Sequence, residues 1–323
     1  MKILFLTEGG ENIGLGHLTR CIALAEGFRE FKDKNCEVKF IINTKDRISF
    51  LFKGYNFKIK KTDWIKEYKS LEKEIKTSRY VVVDSYLAPK KVYEFISNLI
   101  SPYQFICIDD YFRIKYPPSI VINFSVDEDK RKYYKNAVKC LLGYKYIILR
   151  KAFWNIPKRR IRKSVKNILI TLGGSIKAIR VLKKIVGFLL QNSPSYRYHI
   201  ISREIFLNGK DNVFFYKDIS PYQLRDLSLK CDFGICAGGQ TIYELLSTGL
   251  PLVGVYLARN QENNIRNLKK YKLLKDVLWR SKDVSKILHI VNNHSYIFRK
   301  QICMHQNRLI NNKGVRLIIN EIR

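Results

Sequence analysis

Short runs of β-branched and apolar residues recur along the chain, each followed by a stretch with helical spacing. Residues 3–6, 38–42, 57–59, 80–83, 105–108 and 120–122 form one such series. Between them, 18–31 carries Leu18, Ile22, Ala25 and Phe28 on one helical face. Residues 64–77 read as a charged surface helix, and 89–100 as a helix with proline in its first turn. Strands that are apolar throughout are buried on both faces, which means a parallel sheet flanked by helices. The rhythm breaks at 151–163, which holds Pro157 and the basic run from Lys158 to Lys163. It then restarts with strands at 167–172, 198–201, 213–215, 232–236 and 251–255. Helices are expected at 221–230, 241–247 and 261–271, with a helical tail from Lys282. The predicted fold is α/β, with two Rossmann-like domains whose parallel sheets face a central cleft. Residues 1–150 form the first domain, 151–163 a linker and 164–323 the second domain with a basic tail. At 323 residues the chain has room for both cores.

Ligands of such sheets sit beyond the carboxyl ends of the strands, and four loops there carry chemistry. Ile13-Gly14-Leu15-Gly16-His17 follows the first strand and opens the first helix. Glycines let the loop approach a ligand closely, and a helix N-terminus offers free N–H groups to an anion. His17 is a candidate acid–base residue. The plainer reading is a histidine that caps the helix or binds phosphate. Leu172-Gly173-Gly174-Ser175 repeats the strand, turn and helix pattern and makes a plausible pyrophosphate cradle. In Cys236-Ala237-Gly238-Gly239-Gln240-Thr241-Ile242-Tyr243-Glu244, the Glu244 carboxylate is placed to accept hydrogen bonds from ribose hydroxyls, or is simply a solvated helix residue. Ala258-Arg259-Asn260-Gln261-Glu262 is the fourth. Together these describe nucleotide-sugar chemistry. A Walker-type loop is absent, and neither turn of the second half contains G-x-G-x-x-G, which disfavours an ATPase and a nicotinamide dehydrogenase.

Charge is the other constraint. Sixty Lys+Arg against 28 Asp+Glu give a net charge of +32, with +11 in residues 1–155 and +21 in 156–323. Such an excess suits an anionic partner. The lysines are scattered, and the densest run lacks the glycine and aromatic interleaving of an RNA-recognition module. The chain is also rich in Lys, Ile, Asn, Tyr and Phe, whose codons are A/T-rich, so codon bias is the simpler account. Nucleic acid is not the expected partner. Seven cysteines without a C-x-x-C pair read as buried thiols of a reducing cytoplasm, with no metal and no cofactor. The opening apolar run is too short for a signal-peptide core, and no stretch approaches 18 apolar residues. A cytoplasmic monomer without a membrane span is expected.

The motifs resemble a known family. The Ile13–His17 loop followed by Arg20-Cys21-Ile22-Ala23-Leu24-Ala25 is similar to the opening of the UDP-2,4-diacetamido-2,4,6-trideoxy-β-L-altropyranose hydrolases of pseudaminic acid biosynthesis. Asp84-Ser85-Tyr86, Ile108-Asp109-Asp110, Asn123, the 143–150 segment, Leu172-Gly173-Gly174-Ser175, Ala237-Gly238-Gly239, Tyr243-Glu244 and Asn260-Gln261-Glu262 follow in the same order. The glycine turns are shared with GT-B glycosyltransferases of family 28. The resemblance implies a GT-B fold and metal-independent hydrolysis at the sugar's anomeric carbon, releasing UDP and a free amino sugar for a nonulosonic acid. It implies His17 as the group that activates water, with Tyr86 and Asn260 at the sugar. Gly14, Gly16, Arg20 and Asn123 belong to the same side. Gly173, Gly174, Ser175, Gly238, Gly239, Gln240, Glu244 and Gln261 are the implied UDP contacts. Two departures stand out: Leu6 and Glu8 replace the usual Arg and Asp of the first strand, and Ile176 replaces an Asp after the Gly-Gly-Ser turn. A GT-B glycosyltransferase using a UDP-sugar donor and a non-catalytic basic binding protein are the alternatives.

Overall fold

The first apolar run, Lys2–Glu8 (β1), is buried from Ile3 to Glu8 because helices or neighbouring strands cover both its faces. A computed structural model describes residues 1–322 apart from 12, 126–127, 174, 208–209, 280 and 294, with backbone alone at 128–129, 133, 260 and 281–282. The chain divides into two units, Met1–Arg150 with Lys313–Arg323, and Lys151–Asn312.

In the first unit, β1 is followed by α1 (Gly16–Phe31), β2 (Glu37–Asn43), β3 (Lys58–Lys61) and the short α2 (Glu72–Lys76). Then come β4 (Tyr80–Asp84), α3 (Lys90–Ser97), β5 (Phe105–Ile108), β6 (Ile120–Asn123) and β7 (Lys139–Leu142). The sheet is parallel in the order β3-β2-β1-β4-β5-β6-β7. The strand order reverses beside β1, so the switch point lies between the carboxyl ends of β1 and β4. Phe5 stacks on Phe40 at 4.7 Å between ring centroids, while Leu4 and Leu6 pack with Val81 and Val83 on the opposite face.

The second unit repeats the plan: β8 (Asn167–Thr171), α4 (Ile176–Asn192), β9 (Arg197–Ile201), β10 (Val213–Tyr216), α5 (Pro221–Lys230), β11 (Phe233–Ala237) and α6 (Gln240–Ser247). It continues through β12 (Leu252–Val255), α7 (Glu262–Lys270), β13 (Asp276–Leu278), α8 (Ser285–Asn292) and α9 (Tyr296–Leu309). The order β10-β9-β8-β11-β12-β13 puts its switch point between β8 and β11, where both Gly-Gly turns emerge. Ser220 and Gln223 form a reciprocal capping box that starts α5 at Pro221.

Three sequence expectations change. Residues 64–77 are not one helix: Trp64 turns into the core and donates from Nε1 to the Thr7 carbonyl at 2.8 Å, so helical structure starts at Tyr68–Leu71. Residues 151–163 are docked on the second unit. Buried Arg159 donates to the carbonyls of Ser228, Cys231 and Thr248 at the negative ends of α5 and α6. Burial pushes its guanidinium down to about 10, still charged at neutral pH. Finally, the tail does not stay with residues 164–312. Its last helix, α10 (Gly314–Glu321), packs on α1 of the first unit. The contact is close: a Cβ on Gly27 would lie 2.2 Å from Val315 Cγ1, and one on Gly314 would lie 2.2 Å from the Ile147 carbonyl oxygen. All seven cysteines are free thiols, buried except for half-buried Cys140. Among the described residues, no helix is long and apolar enough to cross a membrane.

Arg159→Met removes the guanidinium donors from the Ser228, Cys231 and Thr248 carbonyls. Unfolding free energy is expected to fall by about 2–4 kcal/mol in a urea titration. A fall under about 1 kcal/mol would show that this segment does not anchor the unit.

Candidate active site

The β1–β4 pairing sets Thr7 opposite Asp84, and the β5–β6 pairing sets Ile108 opposite Ile122. Glu8, Asp84, Asp109, Asp110 and Asn123 therefore emerge together along the carboxyl edge of the first sheet. The loop that brings α1 to this edge turns at Gly14, whose φ is +87°, and closes a two-way backbone bridge with Gly10. Empty space surrounds the position of a Cβ at Gly14, so the backbone angle alone calls for glycine. Gly16 is the first residue of α1.

One turn of α1 then aims His17 and Arg20 at Asp84. His17 Nδ1 lies 2.6 Å from Asp84 Oδ1, and His17 is only 4% exposed. Arg20 donates from Nε to Asp84 Oδ2 and from Nη2 to Oδ1, both at 2.6 Å. Its Nη1 reaches both oxygens of Asp110 at 2.8 and 2.9 Å. Burial acts to raise the Asp84 carboxyl, but Arg20 and His17 outweigh it and hold the group well below its usual range. Burial likewise opposes the Arg20 charge, yet Asp110 and Asp84 hold the guanidinium well above its usual value. An ionised Asp84 only accepts, so His17 Nδ1 carries the proton. Arg20 Nη2 sits 3.1 Å from the same nitrogen, but two donors do not form a hydrogen bond. Whenever the ring is neutral its lone pair therefore lies on Nε2, which has no partner among the described residues.

Tyr86 completes the group. Its ring stands edge-on to His17 with centroids 4.1 Å apart, and its hydroxyl donates to Asp110 Oδ2 at 2.5 Å. Buried Glu8 holds the loop beneath it, accepting from the Ser85 hydroxyl and from the Tyr86 N–H at 2.7 Å. Asn123 acts one layer behind. Its amide donates to the Tyr134 hydroxyl at 2.8 Å, and Tyr134 donates to Asp109 at 2.7 Å.

In the second unit, Gly173 adopts φ +89° and Ser175 caps α4 by accepting from the Ala178 N–H at 3.2 Å. Gly238 admits no Cβ, because Ile265 Cγ1 would lie 2.4 Å away; Gly239 faces open space. Gln240 opens α6, and Glu244 is 1% exposed, not a solvated surface residue. Gln261 accepts from the Leu257 N–H at 3.3 Å. Asn264 ties the turn to α7, donating to the Gly238 carbonyl at 2.7 Å and accepting from the Tyr243 hydroxyl. Gly174 and the side chain of Asn260 lie outside the described residues. Among the described residues, no cluster of three His, Cys, Asp or Glu side chains is placed to hold a metal ion.

The structure thus brings His17, Arg20 and Tyr86 together, with Asn123 behind them. The members that sequence reasoning gave no role are Glu8, Asp84, Asp109 and Asp110. Each stands at or just beyond the end of a buried strand, and that position is the signal that could have found them.

Two parallel sheets of seven and six strands, each with its loops at a switch point, define a GT-B-type fold. The Acinetobacter baumannii protein MurG has the same fold, with a TM-score of 0.65, 13% identity, and 100% of this chain and 99% of that one covered. No family model matches the chain. Among curated proteins it is 27% identical over 280 residues to an uncharacterized protein of Methanocaldococcus jannaschii, covering 79% of this chain and 56% of that protein. It is 26% identical over 267 residues to the Helicobacter pylori pseudaminic acid cytidylyltransferase and UDP-2,4-diacetamido-2,4,6-trideoxy-β-L-altropyranose hydrolase, covering 81% of this chain and 45% of that one. The chain thus spans about half the length of these two relatives.

Because Asp84 titrates lower in the folded chain, its ionised form contributes stability above its unfolded value of about 3.9. That contribution is lost as pH falls through the folded value. The stability difference between the wild type and Asp84→Asn should therefore shrink steadily on acidification below about pH 4. A difference that stays flat in pH-dependent urea titrations would contradict the ion pairing.

Proposed function

We propose that the chain is an enzyme acting on a UDP-sugar, and that it hydrolyses a UDP-linked diacetamido-trideoxy hexose at the anomeric carbon. The observation that carries this reading is the His17 ring, its Nδ1 proton committed to Asp84 and its Nε2 lone pair unclaimed among the described residues. A water held at Nε2 loses a proton to it as the water oxygen bonds to the anomeric carbon. The bond from that carbon to the diphosphate oxygen breaks, and UDP departs with the electron pair. Asp84 stabilises the imidazolium that forms, and Arg20 keeps Asp84 ionised throughout. UDP is a good leaving group at neutral pH, so a positioned water and a base supply the main catalytic need.

The second unit supplies the nucleotide contacts in this account. The turns at Gly173, Gly174 and Ser175 and at Gly238, Gly239 and Gln240 precede helix N-termini, which suit a diphosphate, and Glu244 and Gln261 take the nucleoside. Tyr86 is the proposed sugar contact of the first unit, and Asn260 that of the second. The similarity to the Helicobacter pylori protein supports hydrolysis and the diacetamido sugar. The free amino sugar then feeds a condensation to a nonulosonic acid. A soluble monomer of the cytoplasm is proposed with it.

Incubation with the UDP-diacetamido-trideoxy hexose alone is expected to release UDP. His17→Ala should lower kcat by about 10²–10⁴-fold. Release that waits for an added sugar or lipid acceptor would instead favour a glycosyltransferase. No turnover, with salt-sensitive binding to RNA, would favour a basic binding protein.

A further inference from the structure

Tyr86 and Asp110 face each other in a way that limits what the site can recognise. The Tyr86 hydroxyl donates its proton to Asp110 Oδ2. The carboxylate of Asp110 cannot return a proton, because Arg20 Nη1 donates to both its oxygens. A tyrosine has one hydroxyl proton and two acceptor lone pairs. With that proton spent on Asp110, the half-buried Tyr86 presents only lone pairs to anything that binds beside His17. Burial, and after it the Asp110 charge, push the Tyr86 phenol well above its ordinary range, so the proton stays in place at all physiological pH.

We propose that Asp110 sets the hydrogen-bonding polarity of Tyr86 and thereby makes the site select a sugar that offers a donor, the N–H of an acetamido group. This inference rests on the sugar-nucleotide reading above and adds a specificity-determining pair to it. Asp110 does its work through Tyr86 and Arg20, so it is a positioning residue. Tyr86 is the group that meets the substrate. The Tyr86 ring is fixed on three sides, by the edge contact with His17, by the ring of Tyr111 at 5.3 Å between centroids, and by its own N–H bonded to Glu8. The acceptor is therefore held in one place, and its polarity is the variable that remains.

The polarity can be inverted with a side chain of the same shape, at the loss of one of the two Arg20 Nη1 contacts. In Asp110→Asn, the amide oxygen takes the Oδ1 place and accepts from Arg20 Nη1, and the amide N–H₂ takes the Oδ2 place beside Tyr86 and turns away from Nη1. The tyrosine then accepts from that amide and points its own proton at the ligand. The test compares two probes, the UDP-diacetamido-trideoxy hexose and analogues in which either acetamido N–H is replaced by an ester oxygen. Binding is measured by calorimetry with C-glycosidic phosphonate forms of both probes, which cannot be hydrolysed, so that the readout does not depend on turnover and the His17 ring stays beside Tyr86.

With Asp110 intact, the amide is expected to bind about tenfold more tightly than the ester at one of the two positions. Adding Asp110→Asn should abolish or reverse that preference, and adding Tyr86→Phe should abolish it without reversing it. A merely structural role for Asp110 would weaken both probes alike and leave their ratio unchanged, and that result overturns the proposal. Equal binding of amide and ester to the Asp110-containing protein also overturns it, while UDP release by the wild type would still uphold the hydrolase reading. If neither probe binds, both fall together.

Discussion

The first unit is organised around one buried carboxylate. Asp84 is fully buried, and an unpaired charge there would be neutralised by taking up a proton. Arg20 prevents this with two hydrogen bonds, and itself remains charged because Asp110 takes its other side. Two unit charges about 4 Å apart interact by roughly 4 kcal/mol at an effective dielectric of 20. That attraction offsets desolvation but adds modest net stability, as buried ion pairs generally do. Its larger effect is geometric. The cluster forms only if α1, β4 and the loop after β5 arrive in register, and the product of that register is a histidine ring held in one tautomer.

Both units use the same place in the fold with different chemistry. Each parallel sheet reverses its strand order once, and each set of candidate residues lies at that reversal. The first unit lines its switch point with side chains: His17, Arg20, Asp84, Tyr86 and Asp110. The second lines it with backbone, through Gly173 and Gly239, and with glycine at 238 because Ile265 occupies the space a side chain would need. Side chains suit proton transfer and orientation. Backbone N–H groups at helix starts suit an anion. The net charge of +32 is not explained by either switch point, since a diphosphate calls for few cations.

Most strands were legible because double burial makes them continuous apolar runs, and the loops that follow them were legible as glycine turns. What was not legible has specific causes. The edge strands Lys139–Leu142 and Asp276–Leu278 are short and carry charged residues, so no apolar run announces them. Trp64 looked like part of a surface helix, yet its indole satisfies a carbonyl at the end of β1. The return of α10 to the first unit depends on two glycines far apart in sequence: Gly27 of α1 leaves room for Val315, and Gly314 lets the helix start against the Ile147 backbone, and neither need shows before α10 docks. His17 was visible from its loop. Its partner Asp84 was visible only as a strand-ending residue, because the pairing depends on the β1–β4 register. Arg20 was expected at the ligand, and its hydrogen bonds go instead to two carboxylates.

The central claim is that Asp84 holds His17 as the Nδ1-protonated tautomer with Nε2 free. Nitrogen-15 NMR of the histidine-labelled protein tests it directly, with the His17 signals assigned by their loss in a His17→Asn spectrum. At a pH where the ring is neutral, the account predicts a protonated, pyrrole-type Nδ1 and an unprotonated, pyridine-type Nε2. The reverse pattern, with the proton on Nε2, would contradict it, because the ring would then present a donor where the proposed reaction needs a base.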